Sequence, residues 1–223
     1  FLIEGQAGRD ITHNEALRDL DALVQLSVLD RDRTVPPASP TEGDRHIAAA
    51  PATGAWAGLE GRVVLWSGGG WIDFTPRAGW VAWVQAEGQS LRHDGTAWRP
   101  ALALGDWGAA TRARVLTAEA ANLSGATVNT GLTIPSRSIV LGVSTRTSAP
   151  ITGAASYDTG IAGETGKFGG SLGVAAGSSN IGIIGPQAFF ADADVILTAN
   201  GGNFTGGAVR AALHILQFDA PEA

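Results

Sequence analysis

At 223 residues and a net charge of −6, the chain is long enough for one large or two small domains and has no electrostatic reason to bind nucleic acid or an anionic membrane. It has no Cys, which removes disulfides and thiolate chemistry, and no run of eighteen apolar residues, which removes a helical membrane span. Its 31 Gly follow no collagen-like period and fit a β-rich chain with many tight turns. The chain opens at Phe1 without a Met, which is compatible with an upstream segment or a removed targeting peptide.

The first element is a helix. Thr12-His13-Asn14-Glu15 has capping-box spacing, and Leu17, Leu20, Leu23, Val24, Leu26, Val28 and Leu29 carry the helix to about Asp30. Those positions cover more than one stripe, so the helix is either enclosed in its own domain or packed against copies of itself. Val35-Pro36-Pro37 then forces an extended exit.

Residues 43–100 read as short antiparallel strands. Val63-Val64-Leu65-Trp66 and Trp71-Ile72-Asp73-Phe74 flank Ser67-Gly68-Gly69-Gly70 as a hairpin, and Gly79 to Val84 is a further strand. Ser90 to His93 and Thr96 to Trp98 form a second hairpin, whose Asp94-Gly95 pair favours a type I′ turn. All seven Trp lie within residues 1–107. A small β-domain fills its core with such rings, and Trp71 and Trp98, placed directly after turns, are the ones expected to face solvent.

Beyond Trp107 charges thin out and Gly, Ala, Ser and Thr dominate, which divides the chain into 1–107 and 108–223. Ala109 to Ala121 contains good helix formers and reads as a connecting helix, although the segment is ambiguous. From Ile134 the period is two: Ile139, Leu141 and Val143 alternate with Ser138, Gly142, Ser144 and Arg146, and Val209, Leu213 and Ile215 are interleaved with Arg210 and His214. The fold class is therefore mainly β with an N-terminal α-helix: a small Trp-rich antiparallel domain, then a β-sandwich or jelly roll.

Several motifs fail on context. Gly169-Gly170-Ser171-Leu172-Gly173 matches a nucleophile elbow, but the following Gly-broken stretch is too short for the required helix. Gly163-Glu164-Thr165-Gly166-Lys167 has two residues between its glycines where a P-loop has four. The four His lack metal-ligand spacing, and Asp192-Ala193-Asp194 is a bare D-x-D. No catalytic residue, metal site or cofactor is expected. In the second domain Tyr157-Asp158, Phe168, Asn180, Gln187, Phe189-Phe190 and Asn203 lie in or beside expected turns, where aromatics with amides and carboxylates suit a shallow glycan site, with Tyr157, Asp158, Phe168, Asn180, Gln187 and Phe189 as its candidate residues. Arg146 is a partner there for an acidic sugar.

Gly5-Gln6, the segment from Thr12 to Leu26, Pro36 to Pro40, Glu42 to Arg45, Gly54 to Gly58 and Pro76 to Trp80 together resemble an uncharacterised domain of fibre-like proteins in alphaproteobacterial phages and gene transfer agents. The resemblance covers about residues 1–100, and Ile134 to Leu141 looks like the start of the tail such proteins carry. This chain departs from it at Gly8 to Ile11 and at His46, where an aromatic is usual. The resemblance implies a particle-surface location, attachment to other particle proteins, a homo-oligomer (a trimer in preference) and, as in head spikes, binding of host capsular polysaccharide. It implies no catalytic residues. Two other readings stand beside it: a purely structural decoration protein, and a glycan-degrading enzyme. The enzyme needs a carboxylate pair in a groove, and in the acid-poor second half only Asp158, Glu164, Asp192 and Asp194 lie near the candidate glycan residues.

Overall fold

A computed structural model describes residues 9–222, which divide into a first unit ending at Ala101 and a second beginning at Leu102. The first unit opens with α1 (Arg9–Leu23), followed by β1 (Ser27–Val28), β2 (Arg45–Ile47), β3 (Val63–Ser67), β4 (Gly70–Phe74), β5 (Val81–Val84), β6 (Gln89–His93) and β7 (Trp98–Arg99). The second contains β8 (Ala103–Leu104), β9 (Ala110–Ala121), β10 (Thr127–Ile134), β11 (Ser138–Thr152), β12 (Ser156–Ile161), β13 (Glu164–Leu172), β14 (Ser179–Phe189), β15 (Ala193–Asn200) and β16 (Gly206–Asp219).

In the first unit two small sheets, ordered β1-β5-β6-β7 and β2-β3-β4, share a core of Leu26, Val28, Ile47, Val63, Val84, Leu91 and Trp98. The β3–β4 hairpin forms as its sequence implies: Gly68 and Gly69 both take positive φ, 61° and 82°, which a two-residue connection of right-twisted strands requires. The second hairpin differs. His93 pairs with Trp98 across the loop Asp94–Ala97, because Asp94 Oδ1 accepts the amides of Thr96 and Ala97 at 2.7 Å each and so stabilises a longer turn than Asp94-Gly95 alone.

The helix also differs from expectation. It ends at Leu23, and Gln25 turns the chain at φ 51° into β1, which runs parallel to β5. Leu26, just before β1, and Val28, within it, are therefore core residues beyond the helix and not a second helical stripe. Thr12 lies inside the helix and not at its N-cap. The helix buries Ala22 and leaves Leu17 and Leu20 half or more exposed, as is Val24 just past its end, so among the described residues of the first unit an apolar side remains uncovered. Gly5-Gln6 and Gly8 lie outside the described residues.

Of the tryptophans, Trp56 and Trp98 are buried, Trp66, Trp71 and Trp80 are half-buried, and Trp83 and Trp107 are exposed. Trp98 is thus a core residue, held by an indole N–H donated to the Gly61 carbonyl at 2.9 Å. Trp71 packs against His46, Trp56 and Trp66.

His93 packs on Trp98 and accepts the Gly95 amide at Nδ1. Burial lowers its pKa below the ordinary value, against the opposing pull of Asp94. A lowered folded pKa means that the unfolded chain takes the proton first. The contribution is therefore complete above the unfolded value of about 6.5 and is lost as pH falls below it. Tryptophan-fluorescence unfolding between pH 7.5 and 5 should show the first unit losing stability on acidification, with the slope reduced in His93→Gln. A first unit that gains stability over that range would contradict this.

The second unit is a two-sheet sandwich. Its sheets are ordered β10-β15-β12-β13 and β14-β11-β16-β9-β8. Numbering the eight long strands from β9, these orders are 2-7-4-5 and 6-3-8-1, the arrangement of a double Greek-key jelly roll. Ile134, Val195 and Phe168 from one sheet meet Val140, Leu213 and Ile215 from the other in one core, and Tyr157, Leu197, Phe204 and Val209 form a second cluster. Residues 110–121 are a strand and not a connecting helix. They pair with β16 over twelve residues, with Leu116, Ala118 and Ala120 inward and Val115, Thr117 and Glu119 outward. Ladder pairing overrides the helix propensity of Ala, Leu and Arg.

Candidate functional site

The sandwich has two unlike outer faces. On the β10-β15-β12-β13 side the outward positions include Thr127, Asn129, Thr133, Asp194, Thr198, Asp158 and Asn200, nearly all polar. On the other side the outward rows run Ile183–Gly142–His214–Val115 and Ile181–Ser144–Ala212–Thr117. Ile183, Ile181 and Val115 are 79%, 76% and 58% exposed. The next row, Ser179–Arg146–Arg210–Glu119, is charged. Two shallow hollows, about 550 and 300 Å³, lie on this face, the larger lined by Thr117, Glu119, Ser144, Arg146 and Arg210 and the smaller by Leu141, Ile181, Ile183 and His214. The Ser148 hydroxyl and the Arg210 guanidinium hold the Glu119 carboxyl below its ordinary pKa.

The residues expected to form one glycan site do not come together as a surface. Tyr157 and Phe168 are 1% and 2% exposed, and Phe189 is buried as well. All three fill the sandwich core and offer no ring face to a ligand, which corrects their reading as loop aromatics. Each sits on a strand with its side chain inward; the polar neighbours that made them look like turn residues are the outward half of the same alternation. Asn180 donates to the Phe168 carbonyl at 2.9 Å, tying β14 to β13. Asp158 accepts from the Ser171 amide at 2.7 Å and from the Asn200 amide group at 2.6 Å. Gln187 and Arg146 are exposed, and Arg146 has no ion-pair partner among the described residues.

A different aromatic reaches solvent. Phe190, one residue past Phe189, is 86% exposed in the loop joining β14 to β15. Where β14 ends, inward Phe189 must be followed by an outward residue, and this is the parity that residue types alone did not resolve. The loop is fastened to the turn between β10 and β11: the Arg137 amide donates to the Phe189 carbonyl at 2.7 Å, and Asp192 accepts the Ser136 amide at 2.6 Å. Arg137 is left-handed at φ 59°, a conformation that costs a non-glycine residue about 1 kcal/mol or more. One end of the sandwich thus carries an exposed ring, an exposed guanidinium, a carboxylate and, on the adjoining strand, the Gln187 amide.

The failed motifs have structural employment. Ser171 stands at φ 54° in an irregular part of β13, and the chain continues into a loop and then β14 without a helix. Gly163 makes the tight connection from β12 to β13, and Lys167 pairs with Glu164 at 2.9 Å. Asp194 accepts from Asn129 and Thr133, bracing β15 against β10.

Residues 13–99 match a family described as "Protein of unknown function (DUF2793)". No curated protein matches the chain. Among solved structures, a chain of the "Cyanophage Pam1 capsid asymmetric unit" is similar at 17% identity and a TM-score of 0.37, over 53% of this chain and 93% of that one, a level that assigns neither fold nor function.

Proposed function

We propose that this chain is a non-enzymatic, homo-oligomeric spike or fibre subunit on the surface of a phage-like particle, whose jelly-roll domain binds host surface polysaccharide. The observation that carries the binding half is the loop end built around Phe190. An apolar ring face accepts the C–H face of a sugar while Arg137, Gln187 and Asp192 offer hydrogen bonds to its rim, and Arg137 suits an acidic sugar. The resemblance of residues 1–100 to fibre-like proteins supports the particle setting, and the uncovered apolar side of α1 supports assembly from several copies.

Such a site is weak alone. One ring contact contributes on the order of 1 kcal/mol and each hydrogen bond about 0.5–1.5 kcal/mol, against association costs of several kcal/mol. Repetition around an oligomer and a particle raises avidity by about 10²–10⁴ on a repetitive polysaccharide. The test is binding of the intact chain to a panel of immobilised alphaproteobacterial capsular polysaccharides. Phe190→Ala should lower binding about fivefold per site, with no oligosaccharide released by the parent protein. Undiminished binding by Phe190→Ala removes the site, and release of oligosaccharides removes the non-enzymatic reading.

The rival that has its own observation is a purely structural subunit, favoured by the apolar outer sheet. It predicts no binding to any member of the panel.

A further inference from the structure

We infer that the loop end built around Phe190 selects a sugar bearing a carboxylate, a uronic acid, over its neutral counterpart, and that Arg137 sets the selection. This rests on the reading of that end as the polysaccharide site and adds the charge of its ligand. Each carboxylate near this end already has a partner within the fold. Asp192 accepts the Ser136 amide at 2.6 Å, and Asp194 accepts from Asn129 and Thr133. Glu164 pairs with Lys167 at 2.9 Å. That lysine is itself spoken for: its side chain is 8% exposed and its ammonium lies 5.9 Å from the centre of the Phe189 ring. Arg137 is the exception. It is exposed, and its guanidinium has no hydrogen-bond or ion-pair partner among the described residues. A guanidinium presents a planar pair of N–H donors that a carboxylate accepts bidentately. One guanidinium balances one carboxylate, whereas a phosphate monoester at about −1.5 to −2 calls for more positive charge than this end offers.

The backbone gives a second and independent reason. Arg137 stands at φ 59°, and from that conformation its amide donates to the Phe189 carbonyl at 2.7 Å. The bond fixes the β10–β11 turn beside the loop that carries Phe190. Glycine adopts a left-handed conformation without steric cost, and Asn or Asp adopt it more readily than other side chains. The turn instead carries an arginine whose charged group is unpaired and in water. A strained backbone under an exposed, uncommitted functional group marks a binding residue in preference to a structural one.

The probes are the acidic members of the polysaccharide panel, each before and after reduction of its carboxyl groups to alcohols. The parent chain should bind the acidic form about fivefold more tightly per site, and the ratio should shrink as salt rises. Arg137→Gln and Arg137→Gly should each bring the ratio to about one, and Arg137→Lys should keep part of it. Thermal unfolding is the second readout. Arg137→Gly should melt at or above the parent, because relief of the backbone offsets the added freedom of the unfolded chain. Equal binding of both forms by a parent that loses binding on Phe190→Ala would overturn the selection and leave the site standing. Binding of neither form would overturn both. An Arg137→Gly protein that melts below the parent would show the arginine to be held there by the fold, and would overturn its assignment to the ligand.

Discussion

Phe168→Ala should destabilise the jelly-roll unit by about 3–5 kcal/mol, the range for truncating a buried phenylalanine. Phe168 projects from β13 into the space between the sheets, where it meets Ile134, Val140, Val195 and Leu213 in one cluster and is 2% exposed. Its carbonyl also accepts from Asn180, so strand and side chain anchor the same place. Tyr157→Ala should cost a similar amount from the second cluster, beside Leu197, Phe204 and Val209. Equilibrium unfolding in urea, followed by far-ultraviolet circular dichroism, measures both. A loss below about 1 kcal/mol for either variant would mean that the ring is not in the core. Any loss of polysaccharide binding by these variants would report unfolding and not a removed contact.

Gly182→Ala should be at least as damaging, about 3 kcal/mol or more, although it adds one methyl group. A Cβ at Gly182 would be driven into the Phe168 carbonyl oxygen on one side and to 2.6 Å from the Val143 carbonyl oxygen on the other. Both obstacles are backbone in paired strands, so neither can swing aside. Gly142, opposite Ile183 on β11, is confined by the Gly182 and Ile183 backbone in the same way. By contrast Gly185→Ala on the same strand meets nothing within 4 Å and should stay within about 0.5 kcal/mol of the parent. Comparable stability of the Gly182 and Gly185 variants would show that the close approach of β14 to its neighbours is wrong.

Much of the fold was legible where one physical signal dominated. The Gly68-Gly69 turn between Val63–Trp66 and Trp71–Phe74 has positive-φ chemistry that suits little besides a tight hairpin. The alternation in Ser138–Arg146 marks a strand with one side buried, and a sandwich follows from several of these. Errors arose where two signals competed. Residues 110–121 read as helix because Arg112 and Arg114 share the parity of the inward Leu116, Ala118 and Ala120, which blurs the period of two and leaves propensity to decide. The first helix was read too long because Leu26 and Val28 continue its apolar run although they lie just before and within β1. Asp94-Gly95 looked like a two-residue turn because the capping reach of the Asp94 side chain to Thr96 and Ala97 depends on local geometry.

The candidate site was less legible for a related reason. At a strand end the sequence Phe189-Phe190 does not say which ring is inside, and register with Ser138 decides it. A one-residue shift exchanges core for surface, so the expected set kept Gln187 at the loop end and lost its aromatic partner to the neighbouring position. Arg137 carried no compositional signal at all; its left-handed backbone appears only once β10 and β11 are joined.

The central claim is that the loop end of the jelly roll, and not the Trp-rich first unit, meets polysaccharide. Amide hydrogen exchange of the intact oligomer, with and without a saturating capsular oligosaccharide, tests it most directly. Slowed exchange should be confined to peptides spanning residues 136–138 and 187–192, with residues 13–99 unchanged. Slowed exchange in residues 13–99 with none at 136–138 and 187–192 would place the binding surface in the wrong unit and contradict the account.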